Sequence, residues 1–219
     1  MKYFTLLLIV ILAAAGLLFF NEDEQHSNAP LTGLPWQIDI LPDGHTRVFG
    51  ITLGRTTLDE VIELQGNDLD LAIIAAPQEA GTLEAYYSHH SFGPITGKLI
   101  LVLDIAPEIL AAMRERGYQD GGTRRYHLHP DDLPVAFQAP VRIINFLPSL
   151  NLDEEIAQAR FGTPAEIIQF NEQQKNLLYP EKGLDLILNA DSKDVLQYLP
   201  PVEFSQHRTQ LQQLSTAGE

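Results

Sequence analysis

At 219 residues, with 45% hydrophobic and 20% charged content, the chain carries enough apolar material for one domain or two small ones without a metal or disulfide staple. A formal net charge of −15 repels phosphate backbones and anionic lipid surfaces, which argues against nucleic acid as a partner. The absence of cysteine removes disulfides, thiolate nucleophiles, thiolate metal ligands and the acylated cysteine of a bacterial lipoprotein.

Phe4 to Phe20 reads FTLLLIVILAAAGLLFF, an uncharged run at the short end of what a membrane span needs. Lys2 precedes it and Glu22, Asp23 and Glu24 follow, so the positive-inside rule places everything after Phe20 on the outer side. The expectation is a single-pass anchor over 1–20. A cleaved signal peptide is the alternative, offered by the small residues Ala13 to Gly16. Residues 21–33, NEDEQHSNAPLTG, are polar with Pro and Gly and read as a linker.

From 34 to 105 the pattern predicts a first α+β repeat. Trp36 to Ile40 and Arg47 to Phe49 read as strands around a Pro42-Asp43-Gly44 turn. Thr57 and Glu60 have capping-box spacing, opening a short helix that Gly66 ends. Strand-like runs follow at Leu69–Ala75, Leu83–Ser88 and Lys98–Ile105. Residues 106–150 read as a connector, with a helix from Pro107 to Gly117 (Ile109, Leu110 and Met113 inward), a turn at Asp131-Asp132, and strands at Tyr126–Leu128 and Val141–Phe146. A second repeat is expected over 151–201. A capping box at Asn151 and Glu154 opens its helix, Gly162-Thr163-Pro164 stops it, and strands follow at Glu166–Phe170, Asn176–Tyr179, Leu184–Asn189 and Val195–Leu199. In the tail, 202–219, the spacing of Phe204, His207, Leu211 and Leu214 suits a marginal helix.

Histidine offers the one arrangement with metal-ligand character. His127 and His129 stand at i, i+2 on an expected strand, His89 and His90 end another, and Asp131 and Asp132 are near in sequence. Solvated strand-end histidines explain the same pattern, so no metal and no cofactor is assigned. Arg124-Arg125 could hold an anion, although balancing local acid accounts for them. Ser88 and His89 are adjacent on a strand and cannot converge as a catalytic pair. Gly50 and Gly54 suit turns, and Tyr86, Tyr87 and Phe92 suit sheet packing unless they are exposed together. No nucleophile elbow, zinc-protease helix, P-loop or dinucleotide fingerprint occurs, so no catalytic residue is expected.

The phrase GITLGRTTLDEVIELQG, Gly50 to Gly66, resembles one in the SmpA/OmlA (BamE-like) small envelope proteins, and ARFGTPAEIIQF resembles the step after the helix in the same domains. The doubled plan is similar to the tandem α-β architecture of secreted β-lactamase-inhibitor proteins. With LLYPEKGLDLILN, the whole chain looks like an uncharacterised family of bacterial envelope proteins. The SmpA/OmlA proteins are lipoproteins, and without cysteine this chain departs from them. With the apolar run over 1–20, the fold expected is α+β, an N-terminal transmembrane helix followed by two α-β-β-β repeats with antiparallel sheet. The resemblance implies a module of the envelope that binds another envelope protein and catalyses nothing, and the missing cysteine favours an inner-membrane tether with the module on the periplasmic side. A periplasmic binder of a small ligand or of a metal at the histidines is the alternative.

Overall fold

A computed structural model describes residues 32–76, 79–119 and 124–217. The expected fold is overturned in two respects. First, the described chain is mostly antiparallel β-sheet, with ten strands in one sheet, three in another, and five short helices among the described residues. Second, the expected connector over 106–150 is not peripheral, because its strand at 141–148 joins the strands of both expected repeats in one continuous sheet. No helix among the described residues is long and apolar enough to cross a membrane. The expected span over 1–20 lies outside the described residues.

The small sheet is formed by β1 (Asp39–Ile40), β2 (Thr46–Val48) and β3 (Ile51–Thr52). Trp36 is not in a strand. Leu34 to Gln37 forms a turn instead, in which the Gln37 amide donates to the Leu34 carbonyl at 2.9 Å. The first helix, α1 (Leu58–Gln65), is capped as its sequence predicts. Thr57 accepts from the Glu60 amide, and the Glu60 carboxylate accepts from the Thr57 amide at 2.9 Å. Its Leu58 and Val61 are fully buried, each worth about 1.5–3 kcal/mol of transfer free energy.

The large sheet then takes β4 (Asp70–Ile74), β5 (Thr82–Phe92) and β6 (Ile95–Leu103) as a meander. Next comes α2 (Pro107–Arg116), which buries Leu110 and Met113 but leaves Ile109 largely exposed, against expectation. The two-residue β7 (Tyr118–Gln119) and β8 (Arg125–His127) extend the sheet beyond β4. A 3-10 turn (Pro130–Asp132) leads into α3 (Leu133–Phe137). The strand β9 (Val141–Pro148), drawn from the stretch read as a connector, is central: it pairs with β6 on one side and β13 on the other.

The helix α4 (Glu154–Phe161) is eight residues long, like α1. Its N-cap is Asp153, which accepts from the Ile156 amide at 2.7 Å, and not Asn151 as expected. The reason lies downstream. The buried Asp194 carboxylate takes the Leu152 amide at 2.5 Å and so holds this stretch outside the helix. The remaining strands are β10 (Glu166–Gln169), β11 (Gln174–Tyr179), β12 (Leu184–Asn189) and β13 (Val195–Tyr198), followed by α5 (Phe204–Ala217). The Tyr179–Gly183 turn between β11 and β12 is a 3-10 turn ended by Gly183 at φ +61, where any Cβ would run into the Leu199 carbonyl.

The sheet order is β10-β11-β12-β13-β9-β6-β5-β4-β8-β7. Strands with apolar residues on both faces occupy its middle, such as β6 with Leu99, Leu101 and Leu103 on one face and Ile100 and Val102 on the other. Short strands occupy the edges, which limits pairing with other chains. The helices α1 to α4 send their buried side chains into one core on the first face of the sheet. Only α5, among the described helices, packs on the second face, where Phe204 joins Ile168, Leu178 and Leu199.

Candidate functional site

The four histidines considered as ligands do not converge. Register places both His127 and Glu84 opposite Ala72 of β4. His89 and His90 lie five and six residues further along β5, which is about 16–20 Å at strand rise. Among the described residues no group of three or more His, Asp or Glu could hold a metal. Three of the rings have other partners, and His89 is exposed. His127 stacks on Tyr118 with centroids 4.6 Å apart. The Nδ1 of His129 accepts from the Asp131 amide at 3.3 Å and caps the 3-10 turn.

His90 is a structural clamp. A bulge between Tyr87 and His90 inserts one extra residue and shifts the alternation, turning His90 and Phe92 to the same face as Tyr87 while His89 is exposed. The ring of His90 sits edge-on to both aromatics and contacts Gln65 Oε1 at 2.9 Å through Nε2. Gln65 in turn donates to the Phe49 carbonyl at 2.8 Å. Burial lowers the His90 pKa, and His89 adds to the effect. The Tyr87 hydroxyl donates to the Gly66 carbonyl behind α1, and burial pushes its pKa up to about 12. Tyr179 repeats this contact behind α4, donating to the Gly162 carbonyl.

The other sequence candidates are also distributed. Arg125 lies 3.5 Å from Asp70, consistent with balancing local acid. Ser88 is exposed. Tyr86 points to the second face whereas Tyr87 and Phe92 are buried in the core, so the three form no common patch. Asp132 is buried and carries an ion pair with Arg116 of α2, which ties that helix to the 3-10 turn.

A polar cluster not singled out from sequence lies under α5. Asp185 is fully buried; Asn176 Nδ2 donates to both its oxygens at 3.0 and 2.9 Å, and His207 Nε2 stands 2.8 Å from its Oδ2. An Asp–His pair suggests general-base chemistry, but among the described residues no hydroxyl is hydrogen-bonded to this imidazole, and the chain has no thiol. The pair fastens a helix to a sheet. Its sequence signals are an acid inside the leucine-rich Leu184–Leu188 run and a histidine within the apolar stripe of α5.

Among the described residues, the second face is covered on one half alone. Across it, register aligns Leu178, Asp185, Gln197, Asn145, Ile100, Tyr86 and Asp70 in one row. The α5 helix lies over the Leu178 and Asp185 end. Beyond Asn145, which accepts from Gln197 at 2.9 Å, no described helix lies over the sheet. There Ile74, Tyr86, Ile100, Val102 and Leu147 are half-buried by their strand neighbours. Arg125, His127 and Tyr118 continue this face to its edge, Tyr118 largely exposed.

No family model, no curated protein and no solved structure matches the chain.

Proposed function

We propose that the protein is a non-catalytic binding module of the bacterial cell envelope, tethered to the inner membrane by residues 1–20 and acting on the periplasmic side. Release into the periplasm after cleavage of that segment is the variant form of the reading. Its partner is another envelope protein, and the contact is the uncovered half of the second sheet face. The observation that carries the reading is the half-buried cluster of Tyr86, Ile100, Val102 and Leu147, an apolar surface bordered by Glu84 and Lys98 beside a covered one on the same sheet. Tyr86 supplies the amphipathic ring that interfaces favour. The resemblance of Gly50–Gly66 to SmpA/OmlA domains supports the envelope placement. The edges support it less, since β7 and β10 are short.

The test is a photo-crosslinking amino acid placed at Tyr86 or Ile100 in cells, with Glu63 on the exposed side of α1 as control. An envelope protein captured at both face positions and not at the control upholds the reading. Crosslinks spread equally over face and control, or none at the face, overturn it.

A further inference from the structure

On the first face of the sheet, opposite Tyr86, an apolar cleft of about 220 Å³ opens at one end. Phe146 and Leu196 of the sheet line it, together with Ile156, Arg160 and Phe161 of α4 and Trp36 of the entering chain. Its neighbouring rim residue Leu150 is 80% exposed and Ile156 is 44% exposed, an unusual state for large apolar side chains side by side. A closed apolar cavity of about 150 Å³ accommodates a benzene ring. This cleft is larger, and an alkyl chain or ring of modest size fits it.

Two features make it a built site. Trp36 is preset. The Leu34 amide donates to Gln37 Oε1 at 2.9 Å, and the Pro35 carbonyl accepts from the buried Tyr198 hydroxyl at 2.8 Å, which fixes the turn on the sheet. The second feature is charge. Arg160 is the one charged side chain in the lining among the described residues, and its guanidinium rests 4.5 Å over the Trp36 ring. Arg47, Arg55, Arg142 and Arg208 each face a carboxylate. Arg160 faces none among the described residues, in a chain with 29 acids against 14 bases. Its ion-pairing capacity is left for a ligand.

We infer that this cleft binds a single-chain amphiphile, its alkyl or acyl chain against Phe146, Phe161 and Leu196 and its one anionic headgroup on Arg160. The net charge of the chain does not forbid this, because charges beyond about 8 Å are screened at physiological salt and the guanidinium contact is local. Two sources share the chemistry: a fatty carboxylate free in solution and a single-chain phospholipid drawn from a membrane. A partner's leucine or aromatic anchor would fill the apolar part without using the cation.

Trp36 is the sole tryptophan of the chain, so its emission reads the site directly. The full chain is placed in zwitterionic-lipid nanodiscs and titrated with decanoate, decanoyl lysophosphatidate, decanol and decyltrimethylammonium, with empty discs as blank. Ligand-observed NMR provides a second readout that does not depend on the indole. The expected result is saturable binding of the two anions, about tenfold or more tighter than decanol or the cation. Arg160→Gln is expected to bring the anions down to the decanol level and leave decanol unchanged. Ile156→Asp, checked for native melting, is expected to abolish all binding. The tighter of the two anions identifies the source, and either upholds the site. Equal affinity for every headgroup, no loss in Arg160→Gln, or a response matching empty discs overturns it. Because the cleft and the Tyr86 face lie on opposite sides of the sheet, this result is independent of the crosslinking at Tyr86.

Discussion

Phe49 holds a backbone conformation that bulky residues avoid. It sits at φ +58 before Gly50 at φ +81, the two central residues of the tight turn from β2 to β3. Such a conformation costs of order 1–3 kcal/mol in a residue with a Cβ. The ring offsets the cost: it stacks on Phe92 at 3.7 Å and meets Phe146 and Tyr198 edge-on. Phe49→Ala keeps the strain and loses the ring, an expected loss of about 3–5 kcal/mol. Phe49→Gly loses the ring and relieves the strain, so urea denaturation should find it less damaged than the alanine variant. The reverse order would mean that the turn is not strained. Close by, His90 has a pKa lowered by burial. Between that lowered value and the ordinary one near 6.5 the unfolded chain binds more protons than the native state, so stability falls as pH drops through this window. His90→Gln should flatten the fall. Melting curves of variant and parent that stay parallel across these pH values would remove His90 as its cause.

At the scale of elements, α5 is held by a buried charge and by rim contacts. Arg208 and Gln212 reach Glu166 of β10, and Arg142 of β9 grips Glu203 at 2.9 Å. These are exposed pairs, worth little each. The buried Asp185 decides the matter. His207→Ala leaves that carboxylate with Asn176 alone, an expected loss of about 3–5 kcal/mol, with hydrogen exchange in α5 accelerated first. Replacing Asp185, His207 and Asn176 together with leucine should restore most of that stability, since neither a charge nor a buried amide is then stranded. A triple variant as unstable as His207→Ala would show that the polar cluster itself, and not the stranded charge, holds the helix. Elements of this kind were unevenly legible in sequence. The box at Thr57 and Glu60 is reciprocal and local, so spacing alone revealed it. The same spacing at Asn151 misled, because Asp194, distant in sequence, captures the Leu152 amide. His207 stood in the apolar stripe of α5, but its partner lies 22 residues earlier and no local pattern joins them.

For the whole molecule, the decisive contact is β9. Val141 to Phe146 was readable as a strand, but its position was not, because pairing with β6 and β13 is set by which edges remain open once the two meanders form. That pairing joins two runs of strands into one sheet and puts the stretch read as a connector at its centre. The cleft was equally hidden: Trp36 and Arg160 are remote in sequence and meet because Tyr198 of β13 anchors Pro35. One sheet with one main core should unfold in one step. Trp36 emission reports the entering turn and the α4 end of the cleft, whereas far-UV circular dichroism reports all strands, so both should give one urea midpoint. Ile144, fully buried in β9, is the place to challenge this. Ile144→Ala removes apolar volume from the seam and is expected to cost about 2–5 kcal/mol. It should lower both midpoints together, because β6 and β13 lose their common neighbour at once. If the variant instead separates the two signals, with Trp36 and the C-terminal strands losing structure before β4 to β6, the halves are independently stable and β9 is a hinge between them.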